Sequence, residues 1–472
     1  MRRNWNSPAS FRPHAAVLLA VVSLCLGWAD AFGQTTTNYL IWRAAESRVD
    51  ADIRGWPLDT LLKQVAAKTG WRVFVEPETT HTVSTKFKDL TPGEALRRLL
   101  DRLNFAVLPQ SNAPAQLLVF RTSMQDATQA IRAAADDADP DTRARPIPNE
   151  LIVRVKPGTD IEALARTLGA KIIGKLDGMN AYRLQFKDEA ATELARRTLG
   201  VNSEVTAVDN NYAYDRPPGT RDVLSTSIAP VQLKARPGAE GRVVIGLIDT
   251  AVQKLDGSLN DFLLPAVSVA GGAQVSAEAP THGTAMAETL LRGVQAATTG
   301  GSAAKILPVD VYGANGSTTT FDVALGVYKA VNDGGAAILN LSLGSDGDSP
   351  FLHQLLQSAS KQGVMVFAAA GNTPTTEPTY PAAYPEVIAV TAGERNGQIS
   401  SYANRGDFVD LVAPGAGIVY FNGQPYYVNG TSAATAFASG LAAGLKDGTR
   451  RSPAEVEAAL KAMLGAKPFR TP

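Results

Sequence analysis

Val243-Val-Ile-Gly-Leu-Ile-Asp-Thr250 is an unbroken apolar run closed by an acid and a hydroxyl residue. Ile306 to Val311, Ala337 to Leu343, Val364 to Ala370 and Val387 to Thr391 repeat the same texture. Runs of Val, Ile and Ala without polar alternation suit strands buried on both faces, as in a parallel sheet. Helical stretches fill the gaps, so the sequence predicts a doubly wound, mainly parallel α/β domain over 226–472. Sites in such sheets form at the C-terminal ends of the strands. Asp249 stands at one such end, although an Asp there is also a common helix cap or turn former.

Working outward, His282 opens Thr281-His-Gly-Thr-Ala-Met-Ala-Glu-Thr-Leu-Leu291, which reads as a helix running to Gly293. The chain has 4 His. His14 lies in the leader, His81 in a polar loop, and His353 in a helix flanked by polar residues, where it reads as a surface position. His282 is therefore the candidate for imidazole base catalysis. Ser432 lies in Asn429-Gly-Thr-Ser-Ala-Ala-Thr-Ala-Phe-Ala-Ser-Gly440. Gly430 permits a tight turn and an Ala-rich helix follows, so the hydroxyl sits where free N–H groups favour negative charge. A plain helix cap is the competing reading. Asn372 closes Val364-Met-Val-Phe-Ala-Ala-Ala-Gly-Asn372, as a turn residue or as an amide donor.

The first half of the 472-residue chain carries no comparable chemistry. Arg2 and Arg3, the apolar run Ala15 to Trp28 and Ala29-Asp-Ala31 read as a signal peptide over 1–31. The single cysteine, Cys25, falls inside it, so the mature chain is expected to need no disulfide and to hold no thiol nucleophile or ligand. No later run is long enough for a membrane span. Residues 38–123 read as a small α+β module: helices with buried faces at Leu58, Leu61, Leu62, Val65 and at Ala95, Leu96, Leu99, with short strands between. Thr91-Pro-Gly-Glu94 is a capping box at the second helix. Residues 124–148 are rich in Ala, Asp and Pro and read as a linker. Residues 149–214 follow β-α-β-β-α-β, the ferredoxin-like pattern.

Together Leu247-Ile-Asp-Thr250, His282-Gly-Thr284, Asn340-Leu-Ser-Leu-Gly344, Ala369-Ala-Gly-Asn372 and Gly430-Thr-Ser432 resemble the subtilisin family of serine proteases. The order Asp, His, Ser is that family's, distinct from the chymotrypsin order. The gaps are 282−249 = 33, 372−282 = 90 and 432−372 = 60 residues. The resemblance implies a serine endopeptidase acting on polypeptides, with Asp249, His282 and Ser432 catalytic and Asn372 in the oxyanion hole. It further implies that Ser342, Leu343 and Gly344, with Gly313, bind substrate by strand addition. It makes 149–214 a propeptide that inhibits its own enzyme, and places self-processing near Tyr214, within Ala213 to Arg221. The pattern Arg54-Gly-Trp-Pro-Leu58, Lys68-Thr-Gly70 and Leu90-Thr-Pro-Gly-Glu-Ala-Leu96 resembles the short N-terminal domain of secretins and TonB-dependent receptors, which implies an envelope-protein partner.

Several positions depart from the subtilisin pattern: Ala251, Ala285-Met-Ala-Glu288, Ala433 and Ala436-Phe437. No metal ligand set is readable, no cofactor is required, and structural calcium cannot be read from these loops. Lys+Arg and Asp+Glu both total 45, so no charge excess argues for a nucleic-acid partner. A Gly-x-Ser-x-Gly elbow and a His-Glu-x-x-His helix are both missing, against an α/β-hydrolase and a zinc peptidase. The competing reading is a catalytically inactive scaffold used for binding or regulation in the periplasm. The expected location is exported, periplasmic or secreted.

Overall fold

The computed structural model describes residues 38–466, except 77–78, 109–113, 123–126, 128, 132–145, 224–225, 227, 237–242, 274, 395–396 and 450. The signal peptide and most of the linker lie outside the described residues.

The continuous apolar runs form a seven-stranded sheet in which every pairing is parallel. Its spatial order is Val267–Ser268, Lys305–Asp310, Val244–Asp249, Ile338–Leu341, Met365–Ala369, Val387–Gly393 and Leu411–Pro414. Successive side chains alternate between faces. Ile245 and Leu247 therefore join one core layer, with Ala285, Leu290, Val294, Ala434 and Leu441 of helices His282–Ala297 and Thr431–Lys446. Val244 and Ile248 join the opposite layer, with Phe321, Val327, Leu352 and Leu356 of helices Thr320–Tyr328 and Pro350–Lys361. This is the doubly wound architecture expected from the sequence.

Two glycines fix how closely the helices led by His282 and Ser432 approach. A Cβ on Gly440 would lie 1.9 Å from the Leu290 carbonyl oxygen, and one on Gly293 2.2 Å from that of Phe437. Backbone meets backbone there, and no other residue type fits.

The chain divides into two compact units, residues 1–56 with 83–99 and residues 57–82 with 100–472. In the first, strands Tyr39–Arg43, Arg48–Pro57 and Thr82–Leu90 form one sheet. Glu94 accepts from both the backbone and the hydroxyl of Thr91, at 3.1 and 2.7 Å, which supplies the carboxylate half of the expected capping box. In the second unit, Arg72–Val75 lies between Gln116–Phe120, its parallel neighbour, and Gln129–Ile131, its antiparallel one. Residues 129–131 belong to the stretch read as linker. Three residues are too few to reveal a strand by periodicity.

Residues 146–215 form the β-α-β-β-α-β unit, from Pro146–Val155 to Val205–Asp215. Its sheet does not stop at its own last strand. Ala213, Tyr214 and Asp215 pair antiparallel with Thr319, Thr318 and Ser317 of the α/β domain. Beside this joint, Arg183 reaches both Glu150, at 2.7 and 3.1 Å, and Asp322, at 3.0 Å. Asn211 accepts the Phe321 N–H at 3.1 Å. A buried polar network thus clasps the first turn of helix Thr320–Tyr328.

Candidate active site

Asp249 ends its strand fully buried. Burying a carboxylate is costly unless it is hydrogen-bonded. Here both its oxygens face Nδ1 of His282, at 2.8 and 2.9 Å, and Oδ1 also accepts the Thr250 N–H at 2.6 Å. His282 is the first residue of its helix, and the Thr281 hydroxyl caps that helix by accepting the Thr284 N–H. Gly283 abuts the Thr250 carbonyl so closely that a Cβ would lie 2.2 Å from it. Strand end and helix start are thereby locked together, and the imidazole has its Nδ1 committed to the acid. The other ring nitrogen is left for proton transfer.

Ser432 is the second residue of helix Thr431–Lys446, which starts after Gly430 at φ 134, a conformation that favours glycine. Its hydroxyl donates to the Ser342 carbonyl at 3.3 Å, and the Ser342 hydroxyl donates back to the Ser432 carbonyl at 3.3 Å. Ser342, Leu343 and Gly344 follow directly on strand Ile338–Leu341, so two neighbouring sheet strands carry Asp249 and this segment. Asn372 uses its Oδ1 to accept the N–H and the hydroxyl of Thr431, at 2.9 and 3.2 Å. That fixes the amide and leaves its NH₂ as donor beside Gly430, whose Cβ position is 3.2 Å from Nδ2. Gly313 lies at the start of the loop that leads to Ser317–Thr319.

Sequence reading missed four parts of this region. Thr431 is the anchor that orients Asn372. Tyr312 is fully buried, and the nearby Asp249 charge adds to burial in pushing its phenol above the usual range. Arg216 sits with Ala251, Thr281 and Gly313 around a cleft of about 340 Å³ beside His282. Glu288, one turn and a half along the same helix, is buried and its carboxyl is pushed up to about 7 by desolvation. In the sequence Glu288 shows only as a departure from the family pattern. His353, expected at the surface, is half-exposed and also stacks on Tyr384 with ring centroids 4.2 Å apart, its Nε2 facing Glu386 at 3.2 Å. A cis bond at Tyr380-Pro381 precedes that tyrosine. Among the described residues no group of three or more His, Cys, Asp or Glu could hold a metal ion. None of their helices is long and apolar enough to cross a membrane.

A parallel α/β sheet with a buried Asp–His pair at a strand end and a serine at a facing helix start defines a class of serine peptidase. The Subtilase family matches residues 240–464, and the Fervidolysin N-terminal prodomain matches residues 132–211. Thermitase of Thermoactinomyces vulgaris is 34% identical over 227 residues, 46% of this chain and 79% of that protein. The thermophilic serine proteinase of Bacillus sp. (strain AK1) is 29% identical over 318 residues, 63% of this chain and 77% of that one. Subtilisin Savinase of Lederbergia lenta is 39% identical over 145 residues, 30% of this chain and 54% of its own length. The crystal structure of fervidolysin from Fervidobacterium pennivorans shares the fold, with a TM-score of 0.53 at 19% identity. That likeness covers 68% of this chain and 58% of the other.

The chain belongs to the subtilase family. It is a subtilisin-like serine endopeptidase made with a propeptide, and these relationships favour that over an inactive scaffold.

Proposed function

We propose that Ser432 is the nucleophile, His282 the general base and acid, and Asp249 the residue that orients the imidazole. Ser432 is a weak nucleophile at neutral pH and needs a base. As its Oγ–C bond to the scissile carbonyl forms, His282 takes the hydroxyl proton. The C–N bond then breaks, and the same proton goes to the departing amine. Water repeats the sequence on the acyl-enzyme and frees the acid. Asp249 holds the productive tautomer and stabilises the imidazolium without taking the proton. The oxyanion draws on the Asn372 NH₂ and the Ser432 N–H; in subtilisin itself, losing the side-chain donor raises the barrier by about 2.7–4 kcal/mol. No cofactor enters this chemistry.

The observation that carries the reading is the buried Asp249 carboxylate with both oxygens on His282 Nδ1. Substrate is read as an added strand along Gly313 and Ser342-Leu343-Gly344. The propeptide's last strand, Val205–Asp215, supports this, because its end already runs antiparallel to Ser317–Thr319. Arg216 continues it, donating its N–H to the Gly316 carbonyl at 2.8 Å. The self-processed bond therefore lies beyond Arg216, within Arg216 to Arg221. The first module is read as a contact domain for an envelope protein, and the chain as exported, periplasmic or secreted.

Labelling with a fluorophosphonate, followed by peptide mass spectrometry, tests the site. The adduct is expected on Ser432, and the Ser432→Ala chain is expected to stay unlabelled and uncleaved. An adduct elsewhere, or processing that survives Ser432→Ala, overturns the assignment.

A further inference from the structure

Tyr214 is fully buried, although it belongs to the propeptide. Its strand neighbours Ala213 and Asp215 are exposed, and Arg216 is half-buried again. An extended chain alternates its side chains, so 214 and 216 share the face turned into the enzyme while 215 points away. Tyr214 joins the core layer that holds Tyr312, Leu343 and Tyr384. Burial pushes its phenol up to about 12, with the Thr320 and Ser345 hydroxyls pulling slightly the other way. Neither gives the Tyr214 oxygen a well-formed hydrogen bond, and no described residue does.

Arg216 is held quite differently. Its Nη2 donates to the Gly313 carbonyl at 2.6 Å and its Nε to the Asn315 carbonyl at 2.8 Å. The guanidinium also lies over the Tyr312 ring, 5.3 Å from its centroid. Two carbonyls at fixed spacing plus an aromatic face suit a planar fork, and an ammonium cannot satisfy all three at once. Tyr312 is common to both subsites. Its ring faces Arg216, it shares a buried core layer with Tyr214, and its hydroxyl donates to the Asp215 carbonyl at 3.2 Å between them.

We infer that this peptidase selects polypeptides carrying an aromatic residue, any residue, then arginine on the N-terminal side of the cut bond, with Tyr312 as the residue that determines the arginine preference. The inference rests on the reading of Ser432 and the cleft given above, and it adds the substrate class. It has an internal signature. Because the Tyr214 hydroxyl is buried without a good partner, phenylalanine fits the first position at least as well as tyrosine, since an unsatisfied buried polar group costs free energy. The propeptide's tyrosine is then a tolerated ligand, not the best one.

Two measurements test it on the full chain. Processed enzyme is given quenched fluorogenic peptides built as X-Asp-Z-Ala-Ser-Gly-Thr. Phe and Tyr are expected to exceed Leu, and Ala to fall at least about 10-fold below Phe in kcat/KM, as a hydrophobic pocket discriminates. At Z, Arg is expected to exceed Lys several-fold and Glu by more. Tyr312→Phe keeps the ring and is expected to keep the Arg preference, whereas Tyr312→Leu loses it with the Phe preference largely intact. Independently, unprocessed chains carrying Tyr214→Ala or Arg216→Ala are expected to react with a fluorophosphonate about 10-fold faster than the parent. Profiles flat within two-fold at both positions, with Ser432 labelled in the same preparation, overturn this inference alone. So do equal labelling rates in the unprocessed chains. If no chain is labelled and no peptide cut, the reading of Ser432 fails and takes this inference with it.

Discussion

Glu288 accepts the backbone N–H of Tyr420 at 2.6 Å from inside the protein, and its other oxygen faces Arg292 at 3.4 Å. The acid sits on the helix led by His282, against strand Ala416–Phe421. Desolvation outweighs both partners and pushes the carboxyl from 4.5 up to about 7.

The sign of the resulting pH dependence follows from linkage. The folded state holds the proton more tightly than the unfolded state, so Glu288 lowers stability progressively as pH rises from about 4.5 to about 7. The full penalty is on the order of 3 kcal/mol above that range. Glu288→Gln keeps an oxygen for the Tyr420 N–H and cannot ionise. Its Tm is expected to fall less than that of the parent between pH 5 and pH 8. Thermal scans of both proteins in an inhibited state check this, and parallel curves would sink it.

Asp249→Asn is expected to leave the fold intact and to lower kcat by about 10⁴, because an amide stabilises the wrong imidazole tautomer. Active-site titration separates that loss from loss of folded enzyme. A tenfold effect or less would mean that the two bonds to Nδ1 do not govern the tautomer.

Gly440→Ala places a methyl where the Leu290 carbonyl oxygen lies 1.9 Å away. The helices led by His282 and Ser432 must separate. Overpacking of this kind costs about 1–3 kcal/mol, and displacing reacting groups by about 1 Å costs about 100-fold in rate. Denaturant melts and kcat on one peptide are expected to show both losses. Unchanged kcat with lower stability would place the strain away from the serine.

Strand-end Asp249, helix-start His282 and helix-start Ser432 were legible because each marks a change of local period, from an apolar run to a turn or helix. The buried alternation of Val49, Ala51 and Ile53 in Arg48–Pro57 is equally local, but the charged residues between them mask it. Other features have no local signature. The close approach at Gly293 and Gly440 joins segments about 150 residues apart in sequence. Tyr312 reads as one more strand-end aromatic until Tyr214 and Arg216 arrive beside it from the propeptide. Glu288 interrupts an apolar helix face, and only Tyr420 and Arg292 explain how it is tolerated.

The propeptide ladder runs through Arg216 and then meets Pro217-Pro218. Neither proline has a backbone N–H, so strand addition cannot continue across them. Their fixed φ also limits how the chain can settle at the serine. Downstream, Arg221 and Asp222 pair with Tyr427 and Tyr426, so the segment is held on both sides of the prolines. Self-processing is therefore expected to be slow by construction. The double variant Pro217→Ala, Pro218→Ser supplies two N–H donors without touching Tyr214 or Arg216. It is expected to shorten the half-time of precursor cleavage several-fold, followed by gel electrophoresis of freshly refolded chain, with the new N-terminus inside 217–221. An unchanged half-time would mean that release of the propeptide from Glu150, Arg183 and Asn211, not the geometry at the bond, sets the pace.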